Sequence, residues 1–579
     1  MRLTNNQIKK ARQSTVLFYM RTFTIFVLST LVITGCTTNE SSIKPIPSLE
    51  KRGEAVQLMV DGKPFLVLGG ELRNSSSSTA IYMEPIFPRL KEGGLNTVLA
   101  VVSWEQVEPE EGAFDFKIVD ELLDVARRND LRLAILWFGS WKNGITSYVP
   151  AWVQKDKVRF PLIKTKSGAE LNILSTFGQA SVEADAKAYR ALMKYLAQVD
   201  KQRTVVMIQM QNEVGLHGDT RDYHPAAVNA FEASVPNELI AYLTANSGKN
   251  LLPEFQAAWD QNGNKTSGNW EEVFGVGDYT DELFMAWHYA KYLGKITAEG
   301  KEEYSLPTFV NAWIVQPQDR HPGDYPSGGP QAQNHDIWRA AAPSIDILSP
   351  DIYLPDFIAI TEQYTRLGNP LFIPESSSGV QGSANAFYTF AQMKGIGYSP
   401  FGIDSRMTDP ENEPIAKAYK MLASFSSLIL DHQAKGTIRG FWLKDQNPVV
   451  RSTTYTLGKY KVKADLTRGR APVSAQTPGQ GAQIGYGLVI MVAEDEYIIA
   501  GQNIQVTFEP ADGKSIAGLA KVQQGDFING IWTPARWLNG DEIQMGYDLL
   551  GAQRMNQSGQ GVRLQGNEPS IQRVWLYNY

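Results

Sequence analysis

Val205-Val-Met-Ile-Gln-Met-Gln-Asn-Glu-Val-Gly215 decides how this chain is read. Its first six residues are apolar except Gln209, a length and composition that suit a strand buried on both faces. The run then stops in an amide and a carboxylate, with a glycine two residues on. Runs of the same kind recur at residues 65–70, 97–103, 131–138, 308–312, 345–349, 371–374 and 397–401, and segments of helical period lie between them. Over residues 116–129, for instance, Ile118, Leu122, Leu123 and Ala126 share one helical face ahead of Arg127 and Arg128 at the C-terminal end. Eight strands alternating with helices predict an α/β fold, a (β/α)8 TIM barrel over residues 53–435.

Outward from that frame, the stretch at 216–301 is far longer than an ordinary strand-to-helix connection. With Trp259, Trp270 and Trp287 it is expected to overhang the C-terminal mouth of the barrel and shape selectivity. Residues 436–579 change character to short alternating runs, at 485–493, 497–501, 504–508 and 573–577, punctuated by Gly, Asp and Asn. They predict a smaller C-terminal antiparallel β-sandwich domain, in which Trp532 and Trp537 are assigned to the core ahead of a sugar-holding role.

The 579 residues carry a net charge of −6 and no basic stripe, which argues against nucleic acid as a partner. The six histidines show no His-x-x-x-His spacing, and no glycine-rich phosphate loop follows a strand, so neither a metal nor a cofactor is expected. Cys36 is the one cysteine, so no internal disulfide is available. It ends an apolar run, residues 24–35, that follows Arg21, the pattern of a secretory signal. Ile33-Thr34-Gly35-Cys36 resembles the bacterial lipobox, in which the cysteine is lipidated and becomes the first residue. The expectation is a lipoprotein signal peptide over 1–36 and a flexible tether over 37–52. The membrane would then be met only through a lipid anchor at Cys36, in a bacterial envelope, and Thr37 after the cysteine favours the outer membrane.

Strand-end side chains at the C-terminal face of a barrel point at the substrate, so Asn212 and Glu213 would be presented together. Residues 371–374 end in a second carboxylate, Glu375, three strands later. Hydrolysis of a glycoside needs one carboxylic acid to protonate the departing oxygen and a second carboxylate across the anomeric carbon. A separation of about 5–5.5 Å lets the second act as nucleophile, with retention. An amide beside the acid can bond the sugar 2-hydroxyl as positive charge develops on the ring. Glu71, Trp104, Asn311 with Trp313, Asp351 with Tyr353, and Phe401 with Asp404 end other strands and are candidates for the sugar-binding ring. Tyr353 is placed to bond the nucleophile, whereas Glu108 is expected to shape a turn.

Gln209-Met-Gln-Asn-Glu-Val-Gly215 resembles the acid/base motif of glycoside hydrolase family 35, the β-galactosidases, which usually reads Gln-x-Glu-Asn-Glu-Tyr-Gly. Trp104-Glu-Gln-Val-Glu-Pro-Glu-Glu-Gly-Ala-Phe-Asp-Phe116 is similar to the segment after the second strand in family 35 and in the related family 42. The resemblance covers roughly residues 55–430. It implies Glu213 as acid/base, Asn212 as the 2-hydroxyl contact and Glu375 as nucleophile. The implied protein is a retaining exo-β-galactosidase acting on a carbohydrate substrate, oligosaccharides or plant polysaccharide side chains such as xyloglucan. The chain departs from family 35 at residues 136–143, where an Arg-x-Gly-Pro-Tyr segment is usual, and at residues 376–379, where aromatics are usual. Another retaining β-glycosidase, such as a β-glucanase, β-mannosidase or arabinosidase, therefore stands as an alternative, and a carbohydrate-binding surface lipoprotein without catalysis as a third reading.

Overall fold

The computed structural model describes residues 44–446, 448–467, 483–538, 543–544, 561–566 and 568–579. The signal expected over 1–36, with Cys36, lies outside them. Among the described residues no helix is long and apolar enough to cross a membrane.

Eight parallel strands form one sheet: β1 (Val67–Glu71), β2 (Thr97–Ser103), β3 (Arg132–Lys142), β4 (Val205–Asn212), β5 (Thr308–Trp313), β6 (Ile347–Asp351), β7 (Phe372–Ser376) and β8 (Gly397–Pro400). Neighbours pair in chain order, and β8 returns to β1 through Gly397↔Val67 and Tyr398↔Leu68. The remaining seam, between β6 and β7, is bridged at Ile352↔Ser376, where the Ile352 N–H donates to the Glu375 carbonyl at 3.0 Å. The sheet thus closes as a TIM barrel. Leu99, Val101, Ala134, Leu136, Phe138 and Phe309 fill the interior at every second position, as the two-residue strand period requires.

Residues 48–52 differ from the flexible tether expected of them. Ser48–Arg52 pairs antiparallel with Ala55–Val60. The reason lies in the second strand, whose Leu58 and Val60 join the interior cluster beside Val67, Ile347 and Ile396. These residues lie where barrel strands begin, so the hairpin plugs the N-terminal end and the first strand gains a fixed ladder partner.

Helix α1 (Lys117–Arg128) buries Ile118, Val119, Leu122, Leu123, Val125 and Ala126 against the barrel wall. Helices α2 (Gln179–Val199) and α3 (Asp278–Glu303) continue the outer ring. Because α3 is itself a barrel helix, the insertion after β4 is shorter than expected and ends near residue 277. It is built from short helices, Pro225–Glu232, Asn237–Asn246, Pro253–Gln261 and Trp270–Phe274. Trp259, Trp270 and Trp287 are all buried. They are core of the insertion and of its contact with α3, not a substrate-facing surface.

Beyond residue 437 the described strands form two antiparallel sheets, of six and five strands, around a shared apolar layer that includes Phe441, Val462, Tyr497, Val506 and Val574. Trp532 packs on Phe527 with ring centroids 5.4 Å apart, while Trp537 is 62% exposed beneath the Lys521 ammonium. Helix α4 (Gly379–Ala391), which follows β7, lies between barrel and sandwich. Its Phe387 ring meets Tyr486 at 5.1 Å, and Asn385 Oδ1 accepts from Trp442 Nε1 at 3.0 Å. The C-terminal domain therefore braces the element that leads out of Glu375.

Candidate active site

The end of β4 is strained and heavily held. Gln211 and Glu213 have φ of 60° and 45°, left-handed values that cost a non-glycine residue about 1–3 kcal/mol unless the surroundings impose them. The surroundings do so here. β3 shifts register against β4 between Trp137 and Lys142, and the Gln211 side chain fills the missing rungs. Its Oε1 accepts from the N–H groups of Gly139 and Trp141, both at 3.0 Å, and its Nε2 donates to Asp185 at 2.8 Å. Asp185, fully buried on α2, also accepts from Trp137 Nε1, the Ser140 N–H and Ser140 Oγ. Gly139 has no room for a side chain, since a Cβ would come within 2.7 Å of both Asp185 oxygens. Asp185→Ala should leave these buried donors unmatched and lower unfolding free energy by about 3 kcal/mol. Urea titration of the two proteins measures this, and a loss below about 0.5 kcal/mol would show that Asp185 does not hold the strand end.

Asn212, Glu213, Asp351 and Glu375 converge at the mouth. One oxygen from each of Glu213, Asp351 and Glu375 lies within 4.8 Å of the others, and the two glutamates are 7% and 5% exposed. Asn212 Nδ2 donates to Glu375 Oε1 at 3.1 Å, and Tyr353 OH donates to Oε2 at 3.1 Å. Asn311 Nδ2 donates to Asp351 at 2.7 Å and reaches Glu375 Oε1 at 3.4 Å, while its Oδ1 accepts from the Glu213 N–H at 3.0 Å. Lys142, on β3, donates to Asn212 Oδ1 at 2.6 Å and so fixes which way the amide faces. Both Glu375 oxygens and one Asp351 oxygen thus accept from N–H and O–H donors, while Asp351 Oδ1 has no partner among the described residues.

The electrostatics follow from crowding. Burial first, then the Glu375 charge, pushes the Glu213 carboxyl up, while Lys142 and a hydrogen bond with Asp351 oppose the shift. Asp351 is pushed well above the carboxylate range by burial and by Glu375, Glu213 and Glu71. Glu71 is also pushed well up by burial and Glu375, and neither of its oxygens has a hydrogen-bond partner among the described residues. Lys142 is thus the cation that restrains both Glu71 and Glu213. In Lys142→Met the Glu213 carboxyl should hold its proton to still higher pH. The alkaline limb of kcat/KM should move up by about one pH unit, and kcat should fall because Asn212 is released. A pH–rate profile checks this; a limb that moves down would reverse the assigned sign.

Of the residues expected to ring the sugar, the structure brings together Glu71, Asn212, Glu213, Asn311, Tyr353 and Glu375. Trp104 is a correction. It is fully buried at the start of a short helix, its Nε1 donates to Glu108 Oε2 at 2.9 Å, and its ring packs edge-on to Trp152. The chain turns into that helix right after Ser103, which carries Trp104 off the strand axis and into the wall. Glu108 also accepts from the Gly112 N–H at 2.7 Å, which shapes the turn. Trp313 packs edge-on to His217, and Asp404 accepts from Ser76 Oγ at 2.6 Å. Sequence reasoning did not anticipate the work of Lys142, Gln211 and Asp185. The sequence reading ends this strand at residue 138, so neither its extension to Lys142 nor the bulge that brings Lys142 beside Asn212 has a signal there.

Two family models match the chain. That for β-galactosidase, glycoside hydrolase 42, covers residues 79–274. The matched stretch contains Asn212 and Glu213 but stops before Glu375. A domain of unknown function (DUF5597) covers residues 415–550. Beta-galactosidase 17 of Arabidopsis thaliana is 26% identical over 264 residues, 44% of this chain and 34% of that protein. A beta-galactosidase of Xanthomonas manihotis is 27% identical over 178 residues, 29% of this chain and 27% of that protein. The chain thus spans about a third of the length of these curated relatives. Among solved structures, a beta-galactosidase from Bacillus circulans sp. alkalophilus is 14% identical with a TM-score of 0.42, covering 63% of this chain and 57% of that one.

Proposed function

We propose that the chain is a retaining exo-acting β-galactosidase that releases terminal β-linked galactose, with Glu375 as nucleophile and Glu213 as acid/base. The observation that carries the reading is the meeting of the β4 and β7 carboxyls within 4.8 Å, close to the roughly 5–5.5 Å of retaining enzymes and far from the wider gap that leaves room for a water. Glu375 attacks the anomeric carbon and forms a glycosyl ester while Glu213 gives its proton to the departing oxygen. Water then enters, Glu213 takes its proton, and the ester is cleaved with net retention. The raised Glu213 suits the first half-reaction; burial contributes most of that rise, and esterification of Glu375 removes the part due to its charge, which lowers Glu213 again and suits the second. Asn212 and Tyr353 hold the nucleophile by its two oxygens.

Galactose as the glycone is supported by the β-galactosidase match over residues 79–274, and the family 35 assignment by the motif at 209–215. Plant polysaccharide side chains such as those of xyloglucan belong to that reading. The departures at 136–143 favour, as second reading, another retaining β-glycosidase such as a β-glucanase, β-mannosidase or arabinosidase. A panel of nitrophenyl glycosides separates them: fastest turnover is expected on the β-galactoside. Turnover of another glycoside with none of the β-galactoside would give the second reading, and glycan binding without any turnover the non-catalytic one. The lipobox-like residues 33–36 support anchorage in a bacterial envelope through Cys36, on the outer membrane.

Glu71, buried at the end of β1 with neither oxygen hydrogen-bonded among the described residues, is assigned to bond sugar hydroxyls once substrate is seated. Glu71→Ala should lower kcat/KM about tenfold or more, with Glu71→Gln, which keeps a donor and an acceptor, milder. Steady-state rates on the β-galactoside check this, and equal losses in both variants would contradict a hydrogen-bonding role.

A further inference from the structure

An acid/base must reach the glycosidic oxygen, so the leaving group of a glycoside lies beside and beyond Glu213. β5 is the strand next to β4, and its Asn311 side chain accepts the Glu213 N–H at 3.0 Å. Trp313 follows two residues later on the same strand, which places it on the face of Asn311 and one step farther out of the barrel. In register it stands beside Asp351 of β6, whose carboxyl belongs to the reacting cluster. Glu71, at the end of β1, stands across the eight-strand ring from β5. The Trp313 indole is half-buried and meets the His217 ring nearly at right angles, with centroids 5.4 Å apart. His217 comes four residues after Glu213 and is likewise half-buried.

This pair is held from behind. Leu216 and Ser327 exchange N–H to carbonyl hydrogen bonds, both at 2.9 Å. Gln331 Nε2 donates to the Trp313 carbonyl at 3.1 Å and to the Pro326 carbonyl at 3.0 Å. On the β3 side, a Cβ at Gly144 would come within 2.9 Å of His217 Cδ2, so the imidazole lies directly against the turn that follows Lys142. Burial holds His217 below its usual value, and the neutral ring offers one donor and one acceptor. A half-buried indole beside such a ring suits a pyranose, whose C–H face packs on the aromatic surface while a hydroxyl bonds to nitrogen. We propose that Trp313 and His217 form the aglycone subsite and that the group it takes is a second sugar. The proposal rests on Glu213 being the acid/base.

The test compares β-galactosyl fluoride, which has no aglycone sugar to place, with β-galactosyl-glucose and β-galactosyl-xylose. kcat/KM is measured on all three in wild type, Trp313→Ala, Trp313→Phe and His217→Ala, and the fluoride reaction is repeated with added glucose or xylose. In that reaction the acceptor hydroxyl, in place of water, gives its proton to Glu213 and displaces the Glu375 ester, which forms a disaccharide and frees the carboxylate. Wild type is expected to cleave at least one disaccharide and to transfer galactose to the matching sugar. Trp313→Ala should lose about tenfold more on that disaccharide than on the fluoride, with transfer suppressed by a similar factor. Trp313→Phe should recover part of both, and His217→Ala should show a smaller loss of the same pattern. Equal losses on fluoride and disaccharide, transfer undiminished in Trp313→Ala, or a wild type that turns over the fluoride yet neither cleaves nor forms a disaccharide would overturn the proposal. If Trp313→Ala does not fold, Trp313→Phe and His217→Ala decide by the same ratio. A wild type inert toward all three compounds fails the galactosidase reading. The ratio is then read on the fluoride and disaccharide of the glycone it does cleave, and inertness toward every such glycoside overturns the subsite as well.

Discussion

Glu375→Ala is expected to lower kcat on an aryl β-galactoside by about a hundred-thousandfold, and azide is expected to restore turnover with α-galactosyl azide as product. The size follows from what is removed. Without the carboxylate no glycosyl ester forms, and water must attack an acetal with only electrostatic help. The stereochemistry follows from the space left behind: azide enters from the face Glu375 occupied and inverts the centre once. A product of β configuration, or a loss under tenfold, would place the nucleophile elsewhere. Asn212 and Tyr353 also lose their acceptor in this variant, so its melting temperature should be recorded beside the rate.

Glu213→Ala should cost about a thousandfold on substrates with a poor leaving group and far less on dinitrophenyl galactoside, whose aglycone departs without a proton. Azide should give β-galactosyl azide, since it enters from the acid/base side of the ester. The pH profile carries a second signature. Burial and Glu375 raise the Glu213 carboxyl above the usual carboxylate range, so its acid form persists to higher pH and wild-type activity falls only as pH rises through that raised value. The variant should lose this alkaline limb while keeping the acidic one. An unchanged profile, with equal losses on activated and unactivated aglycones, would mean that Glu213 does not move the proton.

How much of this was legible in the chain depends on how local the signal is. The eight barrel strands announce themselves because a parallel strand buried on both faces is a short apolar run, and α1 because its apolar face repeats every turn. Glu213 and Glu375 were legible because each ends such a run and so emerges at the mouth. The misread features are those set by tertiary context. Trp104 follows a strand directly, but the chain bends into a helix at that residue. Trp259, Trp270 and Trp287 look like a sugar-binding surface in a long loop, yet the insertion builds its own core from them. Lys142 reaches Asn212 only because β3 bulges against β4, and that bulge depends on Gln211 and Asp185, which meet across 26 residues of sequence. Ser48–Arg52 is polar enough to pass for a tether until Ala55–Val60 is seen plugging the barrel.

Glu375 as the residue that becomes covalently bonded to the sugar is the centre of the account, and trapping tests it most directly. Incubation with an activated 2-deoxy-2-fluoro-β-galactoside, followed by intact mass measurement and peptide mapping, should show one fluorogalactosyl group per chain on Glu375, with activity lost in parallel. Label on any other residue, or continued turnover of a β-galactoside with no covalent adduct, would contradict it.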